Sequence, residues 1–430
     1  MKTYRLRSEC FGATIYDPRK QEYFFVNTEQ AEALKMLPMS QADVSNLNNC
    51  YSTKLSDDIS NGKFAELLSV LQQKTAKLDV IPTKYPLPLD SLTSPIRVYF
   101  EISLMCNGSC TYCLNSSGHV RPNALTTDEM LLIIDQLGKD GVFETRLTGG
   151  EPTMYPEFEL LARSVREHNM TLSINSNLVV NESTLNTLID LHPDLLITSL
   201  DAEKTAHTKY RGKGYDLIVR NIHLLRKANI NTRLNCMLSP ESLPHIERFI
   251  NEFAPAGLGF CFILSRPAGR GQQGFSPPSL SEMIPVMDML EQKRKEFPQT
   301  YFNTSFHVIM ERELTIGGVN LTGCNAIQKS FNVNSDGAIL PCAFLYELDP
   351  ERFTLGNIRD SQCSYSVLPI WRESELLRTL RQQSAQCNIR CINCVQFKHG
   401  CLGSCIYMSL YSQICNAPDP YCRKSIDAFS

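Results

Sequence analysis

The chain has 430 residues, of which 43% are hydrophobic and 20% are charged, and its formal net charge is −3. This length predicts about two to four domains, and the weak charge excludes the basic surface of a nucleic-acid-binding protein. No apolar run approaches the ~18 residues of a membrane span. The first residues are charged and are not those of a signal peptide, so we expect a cytoplasmic protein with no membrane partner.

Residues 1–85 are predicted to form a small α+β domain. Three runs at 4–7, 12–17 and 22–27 have the composition of short strands. Thr28 is expected to cap a helix over 29–37, without a capping box because Ala31 occupies the N3 position. A second amphipathic helix is expected over 62–78. A proline-rich connector at 81–88 separates this domain from the next.

Residues 95–310 alternate between strand-like and helix-like segments. The candidate strands are 97–103, 143–148, 171–176, 195–200, 231–236 and 259–264, and the helices between them include 127–139, 157–168 and 215–228. Repeated strand–helix units predict a parallel sheet with right-handed crossovers. Functional side chains in such sheets lie directly after the strands.

A cysteine triplet, Cys106, Cys110 and Cys113, follows the first of these strands. Three thiolates leave one iron of a [4Fe–4S] cubane open to a small molecule. A zinc site completed by His119 is the alternative, because Cys-x2-Cys pairs also bind structural zinc. A structural zinc site does not require the Gly-Gly-Glu-Pro sequence at 149–152, which follows the next strand. The two motifs in this order favour the cluster.

These motifs resemble those of the radical S-adenosylmethionine (SAM) superfamily. The resemblance implies a partial (β/α)6 TIM-type barrel, in which the open iron chelates SAM and the reduced cluster cleaves it to a 5′-deoxyadenosyl radical. The N-terminal domain resembles the winged-helix-like peptide-recognition element of peptide-modifying radical enzymes, in which a leader peptide adds a strand to a sheet edge. The alternative for that domain is a stabilising extension without a ligand.

The resemblance also implies a set of residues that bind SAM. Gly149, Gly150, Glu151 and Pro152 are expected at the methionyl amino group, and glycine lets the backbone approach a ligand closely. Tyr112 is expected beside the adenine, and the remaining polar contacts are expected from Asn175, Ser176, Asn177, Ser199, Arg211 and Arg266. No catalytic acid or base is predicted.

Seventeen cysteines are unusual for a chain in a reducing compartment, and ten of them lie between Cys324 and Cys422. Metal binding explains them better than disulfides do. Residues 311–430 resemble the cysteine-rich SPASM domain, which carries two auxiliary [4Fe–4S] clusters; four-cysteine zinc sites are the alternative. The resemblance assigns Cys324, Cys342 and Cys405 to the first cluster, and Cys391, Cys394, Cys401 and Cys422 to the second.

The cysteine pattern departs from the SPASM pattern at two points. One spacing in the central run is six where five is usual, and Ser330 stands near the place of a frequent extra ligand. Cys363, Cys387 or Cys415 could replace that ligand, or the first auxiliary cluster keeps an open iron that could bind substrate.

The resemblance implies maturation of a ribosomally made precursor peptide, with thioether, carbon–carbon or ether cross-links as products. Auxiliary clusters favour net oxidation because they offer an exit for the electron of the substrate radical. The alternatives are oxidation of a protein side chain, as in sulfatase maturation, oxidation of a small molecule in cofactor biosynthesis, and an iron–sulfur regulator or scaffold that never cleaves SAM. A low-potential flavodoxin or ferredoxin is the expected electron donor.

Overall fold

The computed structural model describes residues 2–36, 58–82, 86–304, 315–316, 319–321, 324–385 and 405–411. No helix in these ranges is both long and apolar enough to cross a membrane.

The N-terminal unit is a four-stranded sheet with two helices. Its strands are β1 (Lys2–Glu9), β2 (Gly12–Asp17), β3 (Glu22–Asn27) and β4 (Ala76–Ile81), and its helices are α1 (Thr28–Lys35) and α2 (Asp58–Gln72). The strand order is β3-β2-β1-β4, in which β1 and β4 are parallel. The unit has its own apolar core, which includes Leu6, Ile15, Leu34 and Leu67.

Two expectations for this unit were wrong. Helix α1 begins one residue earlier than predicted, so Asn27 is its N-cap and Gln30 takes the N3 position, and these two residues form a capping box. The second helix ends at Gln72, and of the residues predicted to continue it, 73–75 form a turn and 76–78 begin strand β4. Lys74 has a φ of 55° in the turn between them, where the chain reverses direction.

The central region is the predicted partial barrel. Its parallel strands are β5 (Arg97–Ser103), β6 (Glu144–Gly149), β7 (Thr171–Ser176), β8 (Leu195–Ser199), β9 (Thr232–Leu238) and β10 (Gly259–Leu264), and the short β11 (Phe302–Thr304) extends the sheet beside β10. The helices are α3 (Thr127–Lys139), α4 (Phe158–Glu167), α5 (Glu182–Leu191), α6 (Lys204–Arg211), α7 (Tyr215–Lys227), α8 (Ile246–Phe253), α9 (Gly271–Gly274) and α10 (Leu280–Glu296). The strands follow one another in chain order from β5 to β11.

The third segment continues the same sheet. It contains the strands β12 (Thr315–Ile316), β13 (Val319–Asn320), β14 (Ser330–Val333), β15 (Ala338–Leu340) and β16 (Gly356–Asn357) and the helices α11 (Asn325–Gln328), α12 (Ala343–Leu348), α13 (Pro350–Phe353), α14 (Leu368–Glu373), α15 (Glu375–Ala385) and α16 (Ile406–Tyr411). Strand β14 pairs in parallel with β5, and β15 and β16 extend the sheet beyond it, whereas β12 and β13 form a separate two-stranded sheet.

The N-terminal unit packs against the ends at which the barrel strands begin. The ring of Tyr16 stacks on that of Phe143 with centroids 4.9 Å apart, and the guanidinium of Arg7 lies 4.8 Å from the same ring. Arg7 also donates hydrogen bonds to the carbonyls of Pro95 and Gly141, both at 2.9 Å. Because these residues precede β5 and β6, the unit covers the end of the barrel opposite the cysteine loop.

Candidate active site

The three cysteines of the predicted cluster lie on the loop that leaves β5. All three are partly exposed. A Cβ atom added to Gly108 would lie 3.6 Å from Sγ of Cys106 and 3.9 Å from Sγ of Cys110, so these two thiols border the same small space. Burial, the Glu151 carboxylate and the other two thiols raise the pKa of Cys106. The loop therefore gathers sulfur atoms at the mouth of the barrel.

The thiols do not converge on a single point. In the part of the chain that the structure describes, no group of three or more His, Cys, Asp or Glu residues is placed to hold one metal ion. The ligands of a cubane bind different irons, so they need not converge in this way.

The Gly-Gly-Glu-Pro loop lies directly against the backbone of the cysteine loop. Gly150 N–H donates to the Ser103 carbonyl and Glu151 N–H donates to the Met105 carbonyl, both at 2.8 Å. A Cβ atom at Gly149 would lie 1.9 Å from the Ser103 oxygen, and one at Gly150 would lie 2.2 Å from the Met105 oxygen. These glycines are therefore required by contact with protein backbone, a reason that the motif alone did not indicate.

Glu151 joins this loop to the end of β7. Its carboxylate is fully buried and accepts hydrogen bonds from Thr153 N–H (3.2 Å), Thr153 Oγ1 (2.6 Å), Ser176 Oγ (2.9 Å) and Asn177 N–H (2.6 Å). Burial raises its pKa even though these donors favour the charged form. The carboxylate fixes the position of two loops and one strand end.

The polar residues at the end of β7 differ in whether their side-chain atoms have a hydrogen-bond partner. Ser176 is bound to Glu151, and Asn177 donates to Asn107 in the cysteine loop at 2.7 Å. Asn175 donates to Thr148 Oγ1 at 3.3 Å, while its buried Oδ1 atom has no hydrogen-bond partner. A buried acceptor without a donor costs free energy unless a ligand satisfies it. Asn175 is thus the residue of this strand best suited to contact SAM.

A second polar cluster lies after β8. Tyr112 donates to Asp201 at 2.8 Å, Arg211 Nε donates to the same carboxylate at 2.9 Å, and the Arg211 guanidinium lies 4.9 Å from the Tyr112 ring. Ser199 ends β8 on the same edge of the sheet and is half-buried. The fit to SAM rests on the two terminal nitrogens of Arg211, which have no protein acceptor among the described residues.

Sequence reasoning missed the aromatic wall beside Tyr112. The ring of Phe275 lies 5.1 Å from that of Tyr112 and the ring of Tyr210 lies 6.1 Å from it. Phe275 follows α9, and no motif in the sequence connects it with the cysteine loop.

Three cysteines of the third segment, Cys324, Cys342 and Cys405, influence one another's protonation. Burial and the thiols of Cys405 and Cys342 raise the pKa of Cys324 to about 12, and burial and Cys405 raise that of Cys342 to about 11. The Arg266 guanidinium acts in the opposite direction on both thiols. This mutual influence of the three thiols fits the ligands of a first auxiliary cluster, and the SAM contact that the resemblance implied for Arg266 stays a prediction.

Of the three candidates for the remaining ligand position, only Cys363 lies among the described residues. Cys363 is buried in the apolar core, where burial and Asp360 raise its pKa to about 11. The other predicted ligands or candidates lie outside the described residues; they are Cys387, Cys391, Cys394, Cys401, Cys415 and Cys422.

Two family models match the chain. Residues 100–253 match the radical SAM superfamily, and residues 324–395 match an iron–sulfur cluster-binding domain, the SPASM domain. The first match contains the cysteine loop and the Gly-Gly-Glu-Pro loop, and the second begins at Cys324.

The chain is also similar to proteins named as peptide maturases. The mycofactocin maturase MftC of Mycolicibacterium smegmatis is 27% identical over 341 residues, which cover 77% of this chain and 83% of that protein. The sporulation killing factor maturation protein SkfB of Bacillus subtilis is 22% identical over 393 residues, which cover 90% of each.

Crystal structures of SuiB of Streptococcus suis, bound to SAM or to the precursor peptide SuiA, superpose on 98% of this chain. The TM-score is 0.71 at 17% identity, and the superposition covers 98% and 100% of those chains. This likeness establishes the shared fold.

Proposed function

On the premise that this chain is a radical SAM enzyme with a SPASM domain, and that its cofactors are SAM and [4Fe–4S] clusters, we propose that it oxidatively modifies and cross-links a ribosomally made precursor peptide. When bound, the SAM-binding cluster supplies the electron that cleaves SAM to the radical that removes hydrogen from the substrate. The expected electron donor is a low-potential flavodoxin or ferredoxin, and the cytoplasmic location stays a prediction.

The residues at the barrel mouth have distinct proposed tasks. Cys106, Cys110 and Cys113 hold the SAM-binding cluster, and the Gly-Gly-Glu-Pro loop fixes the cysteine loop through its two backbone hydrogen bonds. The free Oδ1 atom of Asn175 and the free terminal nitrogens of Arg211 orient SAM. Arginine suits the SAM carboxylate because its guanidinium can form two parallel hydrogen bonds.

The observation that supports a peptide substrate is the N-terminal sheet. Strand β3 pairs with β2 and has no second neighbour among the described residues, and it lies at the edge of the sheet. An extended peptide can add a strand to such an edge through main-chain hydrogen bonds. The maturase relatives MftC and SkfB, and SuiB with its precursor peptide, support the same function. An enzyme acting on a small molecule has no need of this edge.

Two measurements test the proposal. Anaerobically reconstituted protein, incubated with dithionite, SAM and short peptides encoded near its gene, should produce 5′-deoxyadenosine and a peptide lighter by two hydrogen atoms for each cross-link. The control is a variant with Cys106, Cys110 and Cys113 all changed to Ala, which should lose SAM cleavage and keep the auxiliary iron. Deoxyadenosine formation by that variant would contradict the assignment of the three ligands.

Amide hydrogen exchange then tests where the peptide binds. The amides of Glu22–Asn27 should exchange more slowly when the peptide is present, because strand addition gives an edge new hydrogen bonds. Protection of the barrel mouth without protection of β3 would show that the leader does not bind to this edge.

A further inference from the structure

The segment that follows β10 lies against the cysteine loop. At Gly269 the backbone has a φ of 54°, and a Cβ atom there would lie 2.0 Å from the Leu114 carbonyl oxygen. Any other residue would push the two segments apart at this point. The close approach brings the next residue, Arg270, within hydrogen-bond distance of several carbonyl groups of the loop.

Arg270 donates hydrogen bonds to three carbonyl oxygens of the cysteine loop. Its backbone N–H donates to Cys113 at 3.0 Å, its Nε atom donates to Cys110 at 2.9 Å, and its Nη1 atom donates to Ser117 at 2.8 Å. Residues 110–117 form neither a helix nor a strand, so no ladder of regular hydrogen bonds supplies donors to these carbonyls. One residue therefore holds both ends and the middle of this stretch.

These contacts hold two of the three predicted ligands of the SAM-binding cluster. Cys110 is held through its own carbonyl, and Cys113 is held through its carbonyl and through Ser117, whose N–H donates to the Cys113 sulfur at 3.4 Å. The third ligand, Cys106, directly follows Met105, whose carbonyl is bound by the Gly-Gly-Glu-Pro loop. The cysteine loop thus has two supports, and each acts on a different part of it.

The segment that carries Arg270 is itself held in place. The hydroxyl of Tyr407, a residue that is 1% exposed, donates to the Pro267 carbonyl at 2.5 Å. Ala268, the next residue after Pro267, is buried. A side chain can position a ligand only when its own backbone is fixed. Because Tyr407 closely follows Cys405 in the chain, the third segment contributes to the support of the cysteine loop.

Arg226 makes contacts of the same kind away from the candidate active site. Its Nε atom donates to the Ala256 carbonyl at 2.8 Å, and its Nη1 atom donates to the Ile230 carbonyl at 3.4 Å. Like Arg270, it is half-buried. These contacts lie at the end of α7, just before β9 and β10 begin, which is the end of the barrel opposite the cysteine loop. Arg226 is therefore a matched control for Arg270.

We propose that Arg270 is a positioning residue for the SAM-binding cluster and holds Cys110 and Cys113 in the arrangement that binds it. Groups that orient metal ligands raise the affinity for the metal, because the ligands need not be ordered when it binds. Loss of the Arg270 side chain should therefore loosen this cluster and leave the auxiliary clusters unchanged. This role rests on the proposed function, in which Cys110 and Cys113 are ligands, and it does not depend on the substrate.

Arg270→Met is the test variant, because methionine keeps a long side chain and removes the donors of the guanidinium. Anaerobically reconstituted protein is exposed to an iron chelator, and the absorbance of the iron–chelator complex gives the rate of iron release. EPR spectra of dithionite-reduced, rapidly frozen samples with and without SAM identify the iron of the SAM-binding cluster. Arg270→Met should release this iron at least about tenfold faster than the wild type, which corresponds to about 1.4 kcal/mol in the barrier.

Two further variants separate positioning from general stability. Arg226→Met also loses two carbonyl contacts, and it should release all its iron at wild-type rates even if its unfolding temperature falls. Arg270→Lys should release the iron of the SAM-binding cluster at a rate between those of Arg270→Met and the wild type, because its ammonium group can still donate to a carbonyl but lacks the forked geometry. A side chain that only stabilises the fold would instead accelerate iron release from all clusters alike.

Three results would overturn the role of Arg270. They are wild-type release from Arg270→Met, equal acceleration of release from all its clusters, and release from Arg270→Lys as fast as that from Arg270→Met. The variant with Cys106, Cys110 and Cys113 changed to Ala separates this role from the ligand assignment. If that variant keeps the SAM-dependent EPR change, the ligand assignment and the role of Arg270 are both wrong. If it loses the change and Arg270→Met behaves as the wild type, only the role of Arg270 is contradicted.

Discussion

Changing Gly149 to Ala tests how the two loops of the active site are held together. Gly149 has a φ of 142°, and a Cβ atom there would lie 1.9 Å from the Ser103 carbonyl oxygen. Gly118 offers a matched control, because its φ is 126° and a Cβ atom there would have no neighbour within 4 Å. Both substitutions strain the backbone, and only Gly149→Ala also produces a clash.

The difference between the two variants can be estimated from the contacts. Residues forced into this backbone region cost about 1–3 kcal/mol, and that cost is common to both. Because real Cβ contacts begin near 3.0 Å, the loops at Gly149 must separate by about 1.1 Å. That shift breaks the hydrogen bonds of Gly150 and Glu151 to the cysteine loop, both 2.8 Å long. At about 1–3 kcal/mol for each buried group left without a partner, Gly149→Ala should be about 2–6 kcal/mol less stable than Gly118→Ala.

Urea unfolding of the cluster-free protein measures this difference, and iron analysis after anaerobic reconstitution measures its effect on the site. Gly149→Ala should also retain less iron, because the cysteine loop loses its support. A stability within about 1 kcal/mol of that of Gly118→Ala, together with equal iron content, would refute the reasoning.

Two further predictions concern charged groups. Glu151→Gln should lose about 1–3 kcal/mol at neutral pH, because the amide nitrogen cannot accept a hydrogen bond from the donors around it. Since burial raises the pKa of Glu151 above 4.5, the native state binds its proton more readily than the unfolded state. The advantage of the wild type over the variant should therefore grow as the pH falls from neutral towards 4.5, and urea titrations that show it shrinking would contradict this. Arg266→Gln should lower the reduction potential of the cluster at Cys324 and Cys342 by an amount on the order of tens of millivolts, because a nearby cation stabilises the reduced state. Potentiometric titration measures this, with Arg163→Gln as the control because Arg163 pairs with Glu159 on an exposed face of α4, and an unchanged potential would separate Arg266 from the cluster.

The sequence predicted the bounds of the barrel strands better than it predicted the end of the second helix. The runs at 97–103, 171–176 and 259–264 are strands with those same bounds, because buried parallel strands carry a strong apolar pattern between turns. The strand Ala76–Ile81 was missed because Leu71 and Leu78 also fit a helix. Its conformation depends on pairing with β1, about seventy residues earlier, which no local pattern contains.

The candidate active site could likewise be predicted only where its motifs are local in the chain. Cysteine spacing and the Gly-Gly-Glu-Pro motif located the mouth of the barrel, since each motif is local in the chain. The ion pair between Arg97 and Glu144, and the hydrogen bond between Tyr112 and Asp201, depend on strand register and on chain crossings that no local pattern contains.

Arg211 can be tested for a direct contact with SAM. Its Nε atom is bound to Asp201 at 2.9 Å, so one part of the guanidinium anchors the residue and the two terminal nitrogens are left for a ligand. Arg211→Lys keeps the charge beside Asp201 and removes this forked geometry. Loss of a charge-assisted hydrogen bond, worth about 1.5–3 kcal/mol, should weaken SAM binding by about 10–100-fold.

Equilibrium binding of SAM to oxidised, reconstituted enzyme measures this affinity without turnover, and thermal unfolding separates binding from stability. If Arg211 only anchors Asp201 and Tyr112, Arg211→Lys will unfold at a lower temperature and bind SAM as the wild type does. Asp201→Asn gives the complementary result, because it leaves the cation of Arg211 without its carboxylate. An Arg211 that faces SAM then gains its partner from the ligand, so SAM should raise the unfolding temperature of Asp201→Asn more than that of the wild type. An equal increase of the unfolding temperature in both proteins would mean that Arg211 does not contact SAM.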